Sequence, residues 1–243
     1  MMVVILTAGR GSRLNLNLPK SIVKVDDRCM LDIQLSQLYS AGIKPEDITI
    51  VTGYKNNLFS KYDFEKVNNK SYKNTGQVYS ISCASHLAGE KEVVVIYGDV
   101  LFEKELILEL NNCTYNFIVP SYSNFKNLWI NRGDSDFKDL ETFSTNNGKL
   151  LDIGNEVDNI DLVNGQFMGV LYFNNFYFSN FLEWYSHYKK HFGPEASNVL
   201  QTTAFLNYLI NNNVDIFSTN YKGYFMELDS YDDLKLIQNT LEI

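Results

Sequence analysis

An α/β fold built around a mostly parallel central sheet is what the sequence predicts, on two observations. Residues 93–97 form a continuous apolar run, Val93-Val94-Val95-Ile96-Tyr97, that stops at Gly98-Asp99; a strand buried on both faces needs helices on both sides. Near the start, Val3 to Leu6 reads as a buried strand feeding a Gly-rich loop, and the helical pattern and second strand that follow make a β-α-β unit.

The remaining elements follow in order. Over residues 30–41, Leu31, Leu35 and Leu38 share one helical face, Gly42 stands at the C-cap position, and residues 48–51 form the next strand. Residues 75–87 read as a helix with Ile81, Ala84 and Leu87 in register, 103–110 as another helix and 115–119 as a strand. The turn Asn146-Asn147-Gly148 joins residues 139–143 and 150–153 as a hairpin, so local pairing replaces crossover there. Residues 165–173 are a strand, 175–190 and 203–211 helices, and 224–228 a strand leading into a last helix from Tyr231, where Ser230 and Asp233 have capping-box spacing.

Composition narrows the function classes. The chain has 243 residues, 45% of them hydrophobic and 21% charged, enough for one large α/β domain with a sizeable core. A net charge of -8 argues against a nucleic-acid partner, which needs clustered Lys and Arg, and sends any polyanionic ligand to a local basic pocket. No apolar run approaches the roughly 20 residues of a membrane span, so neither membrane nor signal segment is expected and the predicted location is cytoplasmic. Cys29, Cys83 and Cys113 are few and far apart, the pattern of reduced structural thiols.

Gly9, Gly11, Ser12 and Arg13 offer a run of backbone N-H groups and a guanidinium suited to phosphate, although Gly-x-Gly after a strand is equally an ordinary turn. The loop is neither a dinucleotide fingerprint, since Leu14 stands at the third Gly position, nor a P-loop. His187 and His191 have the spacing of a helical metal pair without a neighbouring Glu or third ligand, and read as surface residues. Tyr177, Phe181, Trp184 and Tyr188 share a helical face that serves core packing or a homodimer contact.

The joint pattern of strand, Leu6-Thr7-Ala8-Gly9-Arg10-Gly11-Ser12-Arg13 and Pro19-Lys20-Ser21-Ile22-Val23-Lys24-Val25 resembles the opening motif of the sugar-phosphate and related nucleotidyltransferases. That resemblance implies a three-layer, Rossmann-like nucleotidyltransferase fold as a single domain over residues 1–243, with a nucleotide-binding half (1–120) and an acceptor-binding half (121–243). It implies that Leu6, Ala8, Gly9, Gly11, Ser12 and Gly98 line the nucleotide site, and that Arg13 and Lys20 are catalytic, neutralising the α-phosphate and the leaving pyrophosphate. Asp99 and Asp229, each at a strand end, match the family's Mg²⁺ positions; the alternatives are a helix or turn cap for Asp99 and a cap on the final helix for Asp229. No general base is needed, because a phosphate or phosphonate acceptor is already a dianionic nucleophile at neutral pH.

Tyr97-Gly98-Asp99-Val100-Leu101-Phe102, Gly165-Gln166-Phe167-Met168-Gly169 and Glu227-Leu228-Asp229-Ser230 resemble a branch of this family. It holds phosphonate-linked nucleotidyltransferases, phosphocholine cytidylyltransferases of bacterial surface decoration and the phosphoglutamine cytidylyltransferase of capsular phosphoramidate synthesis. The branch implies CTP, a small acceptor of phosphoglutamine, phosphocholine or 2-aminoethylphosphonate type, and release of pyrophosphate in surface polysaccharide or capsule decoration. The segment from Tyr72 to Ile81 resembles the nucleotide-site element of the phosphocholine enzymes, which makes Gln77 and Ser80 contacts to base or ribose. Trp129, Arg132, Glu141, Gln166 and Glu227 fall to the acceptor, Trp129 for a cationic head group and Arg132 for phosphoryl oxygens. Phosphonate-linked members carry a basic residue after the Ile-Gly corresponding to Ile153-Gly154, where this chain has Asn155-Glu156; Lys24, Arg132 or Lys149 would then have to supply the charge, or the acceptor differs. Three alternatives stand beside this reading: a sugar-1-phosphate nucleotidyltransferase using UTP, dTTP or GTP; a glycosyltransferase, whose Asp-x-Asp metal motif Asp134-Ser135-Asp136 matches only in a polar loop instead of at a strand end; and a non-catalytic nucleotide sensor, which would lack the metal carboxylates or Lys20 that are present here.

Overall fold

The computed structural model describes residues 1–11, 14, 16–89, 91–133, 137, 140–157 and 159–241. Strand β1 (Met2–Leu6) places Val3, Val4 and Ile5 wholly out of solvent. A short ribbon of β2 (Lys24–Val25) and β3 (Arg28–Cys29) leads into helix α1 (Met30–Ser40), which Gly42 closes at φ +88. Strand β4 (Ile48–Thr52) lies parallel to β1, and β5 (Glu65–Asn68) parallel to β4. After helix α2 (Gln77–Ser82), strand β6 (Val93–Tyr97) pairs in parallel with the other edge of β1, Leu6 opposite Tyr97.

Beyond β6 come β7 (Val100–Phe102), α3 (Lys104–Asn111), β8 (Phe117–Ile118), β9 (Ser121–Tyr122) and the short helix α4 (Phe125–Asn131). The hairpin β10 (Glu141–Asn146) and β11 (Lys149–Glu156) turns at Asn147 and Gly148, both at positive φ, as an Asn-Gly turn requires. The chain continues through β12 (Gln166–Phe167), β13 (Val170–Phe173), α5 (Tyr177–Asn198), α6 (Thr202–Asn211), β14 (Asn220–Tyr221), β15 (Phe225–Glu227) and α7 (Tyr231–Thr240).

The main sheet runs β5-β4-β1-β6-β13-β8, its first four strands parallel and β13 inserted antiparallel between β6 and β8. This is the three-layer α/β arrangement with a mostly parallel sheet. Because β4 and β6 flank β1 on opposite sides, the strand order reverses at β1, and the crevice beyond the carboxyl ends of β1 and β6 is where ligands collect in open sheets of this kind. The core's aromatic end stacks Phe117 on Phe173 with 4.6 Å between ring centroids, and Phe181 of α5 meets Phe205 of α6 edge-on at 5.2 Å. Core packing therefore accounts for the aromatic helix: Phe181 is fully buried, and Tyr177, Trp184 and Tyr188 pack half-buried against the core.

Three expectations change. The helix expected over residues 75–87 is only α2 with a 3-10 turn at Ser85–Leu87; Gly76 stays extended because its N-H is taken by the Asn198 carbonyl at 2.6 Å. The strand expected over 165–173 is two strands, broken at Gly169, whose positive φ lets its backbone press on the Tyr97 ring. The 115–119 strand shortens to β8. The capping box at Ser230 and Asp233 forms as expected. Replacing Phe181 by Ala should cost about 3–5 kcal/mol in urea unfolding, whereas Phe176→Ala, with 54% of that side chain exposed, should change stability by less than about 0.5 kcal/mol.

Candidate active site

The carboxyl ends of β1 and β6 meet closely. The Gly98 N-H donates to the Leu6 carbonyl at 2.9 Å, and a Cβ at position 98 would sit 2.7 Å from that oxygen, so only glycine fits. From β1 the chain passes Thr7, whose hydroxyl donates to the Val51 carbonyl at 3.0 Å, and Ala8, whose carbonyl accepts from Tyr54. At Gly11, φ is +60 and a side chain would collide with Lys20 Cγ at 2.9 Å. The loop is thus shaped around the lysine that follows it.

Lys20 reaches between two carboxylates: its Nζ donates to Asp99 Oδ2 at 2.8 Å and to Asp229 Oδ1. Asp99 follows β6 and Asp229 follows β15, and the Leu228 N-H ties the two segments by donating to the Asp99 carbonyl at 2.8 Å. Burial alone would draw the Lys20 ammonium down, but the charges of Asp99 and Asp229 outweigh it and hold the ammonium above the ordinary lysine range. Glu227 completes the group, with ligand oxygens of Asp99, Glu227 and Asp229 all within 4.8 Å of one another, the one such cluster among the described residues. Burial, then repulsion from Asp229 and Asp99, pushes the Glu227 carboxyl up to about 8. Two carboxylates on the ammonium, with the Glu227 carboxyl within 4.8 Å of both, form a donor set that fits a hard divalent cation such as Mg²⁺.

Two cavities open on either side of this cluster. The first, of about 300 Å³, is lined by Leu6, Ala8, Gly9, Gly11 and Gly98 together with Lys20, Asp99, Gln77 and Ser80. Ser12 and Arg13, also expected there, lie outside the described residues. The Ser80 hydroxyl is already engaged, accepting from Asn69 Nδ2 at 3.1 Å and donating to the Gly76 carbonyl at 3.2 Å, while Gln77 Oε1 is buried without a partner. The second cavity, of about 840 Å³, is lined by Trp129, Arg132, Glu141, Gln166, Glu227 and Asp229. The cavities share the wall formed by Gln77, Tyr97 and Gln201.

In the second cavity Trp129 donates from Nε1 to Gln166 Oε1 at 2.9 Å, and the Arg132 guanidinium lies over its ring, 5.2 Å from the centroid. One face of the indole therefore already carries a cation. Arg132 is anchored by Nε to Asp233 Oδ1 at 2.5 Å and stands 3.8 Å from Asp229 Oδ2. Burial raises the Glu141 carboxyl, against a hydrogen bond with Thr203. Of the groups offered to balance an acceptor's charge, Arg132 lines this cavity, Lys24 is exposed on β2, and Lys149 pairs with Asp215 at 2.5 Å. Asp134-Ser135-Asp136 lie outside the described residues. His187 is exposed and 3.8 Å from Glu183.

Sequence reasoning missed Tyr97, Gln201, Thr202 and Thr203 as lining residues. Tyr97 could have been found from its place beside Gly98-Asp99, whereas the start of α6 carries no motif. It also set Glu227 with the acceptor, where the fold brings it equally against the two aspartates.

The description "MobA-like NTP transferase domain" matches residues 3–153, more than half of the chain. The chain belongs to the MobA-like NTP transferase family. It is a nucleotidyltransferase. Among curated relatives of this family member, a CTP:phosphoglutamine cytidylyltransferase of Campylobacter jejuni subsp. jejuni is 26% identical, covering 97% of this chain and 98% of the relative. Two solved structures share the fold. The inositol-1-phosphate CTP transferase of T. maritima has a TM-score of 0.74 at 16% identity, over 98% of this chain and 93% of that one. The CTP:phosphocholine cytidylyltransferase of Streptococcus pneumoniae has a TM-score of 0.71 at 18% identity, over 99% of both chains. Among the described residues of this NTP transferase, no helix is long and apolar enough to cross a membrane.

Asp233 offers a direct test of how the second cavity is held. It is 3% exposed, binds Arg132 and accepts from the N-H groups of Asp229 and Ser230. Asp233→Ala leaves Arg132 without its closest partner and should cost about 3–5 kcal/mol in urea unfolding. Burial alone would raise the Asp233 carboxyl, but Arg132 and these hydrogen bonds outweigh it and hold the group below the usual carboxylate range. Its stabilisation is therefore present above the unfolded value of about 3.9 and disappears as pH falls through the folded one. In Asp233→Asn the acid limb of the stability profile should flatten.

Proposed function

We propose that the chain is a Mg²⁺-dependent cytidylyltransferase that moves CMP from CTP to a small phosphorylated or phosphonylated acceptor carrying a cationic nitrogen. The observation that carries this reading is the position of the carboxylate cluster and Lys20 on the border between the two cavities, where a nucleotide's α-phosphorus and an acceptor oxygen would meet. The first cavity has the glycine backbone for a triphosphate. Apart from Gln201 it is drawn from residues before 120, and apart from Gln77 and Tyr97 the second is drawn from later residues, which supports one domain over 1–243 with a nucleotide half (1–120) and an acceptor half (121–243).

Bound at Asp99 and Asp229, with Glu227 beside them, Mg²⁺ would supply the charge neutralisation that lets an anionic acceptor approach a phosphate. An acceptor oxygen, already ionised, attacks the α-phosphorus in line; the bond to the β-phosphate bridging oxygen breaks and pyrophosphate leaves over the Gly9–Gly11 loop. Lys20 meets the leaving group's charge, joined by Arg13 on this reading. Gln77 and Ser80 stand on the nucleotide side, with the unpartnered Gln77 Oε1 open to a donor from base or ribose.

CTP is supported by the C. jejuni relative, named for it and matched along nearly its whole length. The acceptor class is supported by charge. Glu141, Glu227, Asp229, Asp232 and Asp233 line the second cavity against Arg132 as the lining cation among the described residues, and Arg132 is spent on Asp233. With Glu227 and Asp229 on Mg²⁺ and Asp232 paired with Lys235 at 3.0 Å, Glu141 remains for a cationic nitrogen of the kind that phosphoglutamine, phosphocholine and 2-aminoethylphosphonate all carry. On this reading the product feeds surface polysaccharide or capsule decoration, the use that the resemblance implies. A sugar 1-phosphate, the rival acceptor, brings hydroxyls but no cation to balance Glu141.

Pyrophosphate release with Mg²⁺ tests the reading, crossing CTP, UTP, dTTP, ATP and GTP against the three ammonium-bearing acceptors and several sugar 1-phosphates. Turnover is expected with CTP and an ammonium-bearing acceptor; turnover only with a sugar 1-phosphate would discard the acceptor class, and none with any pair would discard the activity. In the same assay, where Mg²⁺ takes over the charge balance that the ammonium gives the carboxylates, Lys20→Ala should fold and lower kcat about 10²–10³-fold.

A further inference from the structure

Gln34 lies on α1, 1% exposed, on a helix whose other buried positions are apolar: Met30, Leu31, Ile33, Leu35 and Leu38. Its Nε2 donates to the Tyr97 carbonyl at 2.7 Å and to the Val100 carbonyl at 2.6 Å. Two carbonyl acceptors demand a donor, so the orientation of the amide is settled by its surroundings. The two carbonyls bracket Gly98-Asp99, the turn between β6 and β7. Gln34 Oε1 is buried with no partner. An apolar side chain of the same length would fill this position without leaving that oxygen unmet, so what the amide contributes is its hold on the turn.

That hold matters because Lys20 is the partner that reaches the Asp99 carboxylate from the side-chain direction. The position of the carboxylate otherwise follows from its backbone, held by the Gly98 N-H on the Leu6 carbonyl, by the Leu228 N-H on the Asp99 carbonyl and by Gln34 on the carbonyls at both ends of the turn. We propose that Gln34 is a positioning residue that sets Asp99 within the metal-binding group by clamping both carbonyls of its turn. The proposal rests on the reading of Asp99, Glu227 and Asp229 as a divalent-cation site. It adds a residue that touches neither metal nor ligand and lies 65 positions before the carboxylate it orients.

The test is Mn²⁺ titration of the full-length, nucleotide-free protein followed by EPR. Gln34→Met removes the donors at nearly constant volume, and its Mn²⁺ dissociation constant should rise about 10- to 100-fold, the range for losing an outer-shell partner. Leu38→Ala, a fully buried position on the same helix, should lower the Tm and leave Mn²⁺ affinity as in the wild type. A Gln34→Met protein that loses stability but binds Mn²⁺ like the wild type would overturn the proposal. Should that variant not fold, Gln34→Asn keeps an amide one methylene too short to span both carbonyls; weaker Mn²⁺ binding supports the clamp and unchanged binding overturns it. Absence of Mn²⁺ binding by the wild type would instead sink the cation site, and the clamp with it.

Discussion

The ion pairs of Lys20 with Asp99 and Asp229 are the interaction on which the rest of the site depends. They join three stretches separated by 79 and 209 residues: the end of the Gly-rich loop, the turn after β6 and the junction of β15 with α7. Three carboxylates brought this close repel one another, and the repulsion is stronger the less water reaches them. An internal ammonium offsets it and so lets the fold hold an arrangement suited to a cation of higher charge. Arg132 acts in the same way further from the cluster, bound to Asp233 and lying 3.8 Å from Asp229.

The sheet explains why these stretches converge. With β4 and β6 on opposite sides of β1, the loops after β1 and β6 must splay to either side of a crevice, and the close contact of Gly98 with Leu6 sets its width. The antiparallel β13 then extends the sheet past β6 and, through the bond from the Tyr97 N-H to the Gly169 carbonyl, carries later elements up to the same edge. From this edge the second cavity is built by the end of α4, the start of β10, β12, the start of α6 and the junction of β15 with α7.

Much of this is legible in the sequence where physics is local. Buried strands such as Val93 to Tyr97 announce themselves by composition, and the Ser230–Asp233 cap by spacing. The Gly-rich loop, Lys20 and Asp99 are legible because they lie close to recognisable strand ends. Strand β5, Glu-Lys-Val-Asn, is not, since an edge strand exposed on one side needs no apolar run; its place comes from pairing with β4. The division of residues 75–87 depends on Asn198, over a hundred positions away, and the gathering of Glu227 with Asp99 depends on the pairing of β15 with β7. Neither contact leaves a periodicity behind. Sequence offers Arg132 and Trp129 as two separate contacts to a ligand, because it gives no sign that a helix of seven residues will place the guanidinium over the indole.

The wall of Gln77, Tyr97 and Gln201 between the two cavities has a thermodynamic side. A molecule that ordered these side chains from one cavity would meet a share of the entropic cost of ordering them from the other, and whatever factor the first ligand imposed on the affinity of the second would be returned in equal measure. With three side chains common to both linings, any such exchange between the compartments would pass through Gln77, Tyr97 and Gln201 without a moving domain.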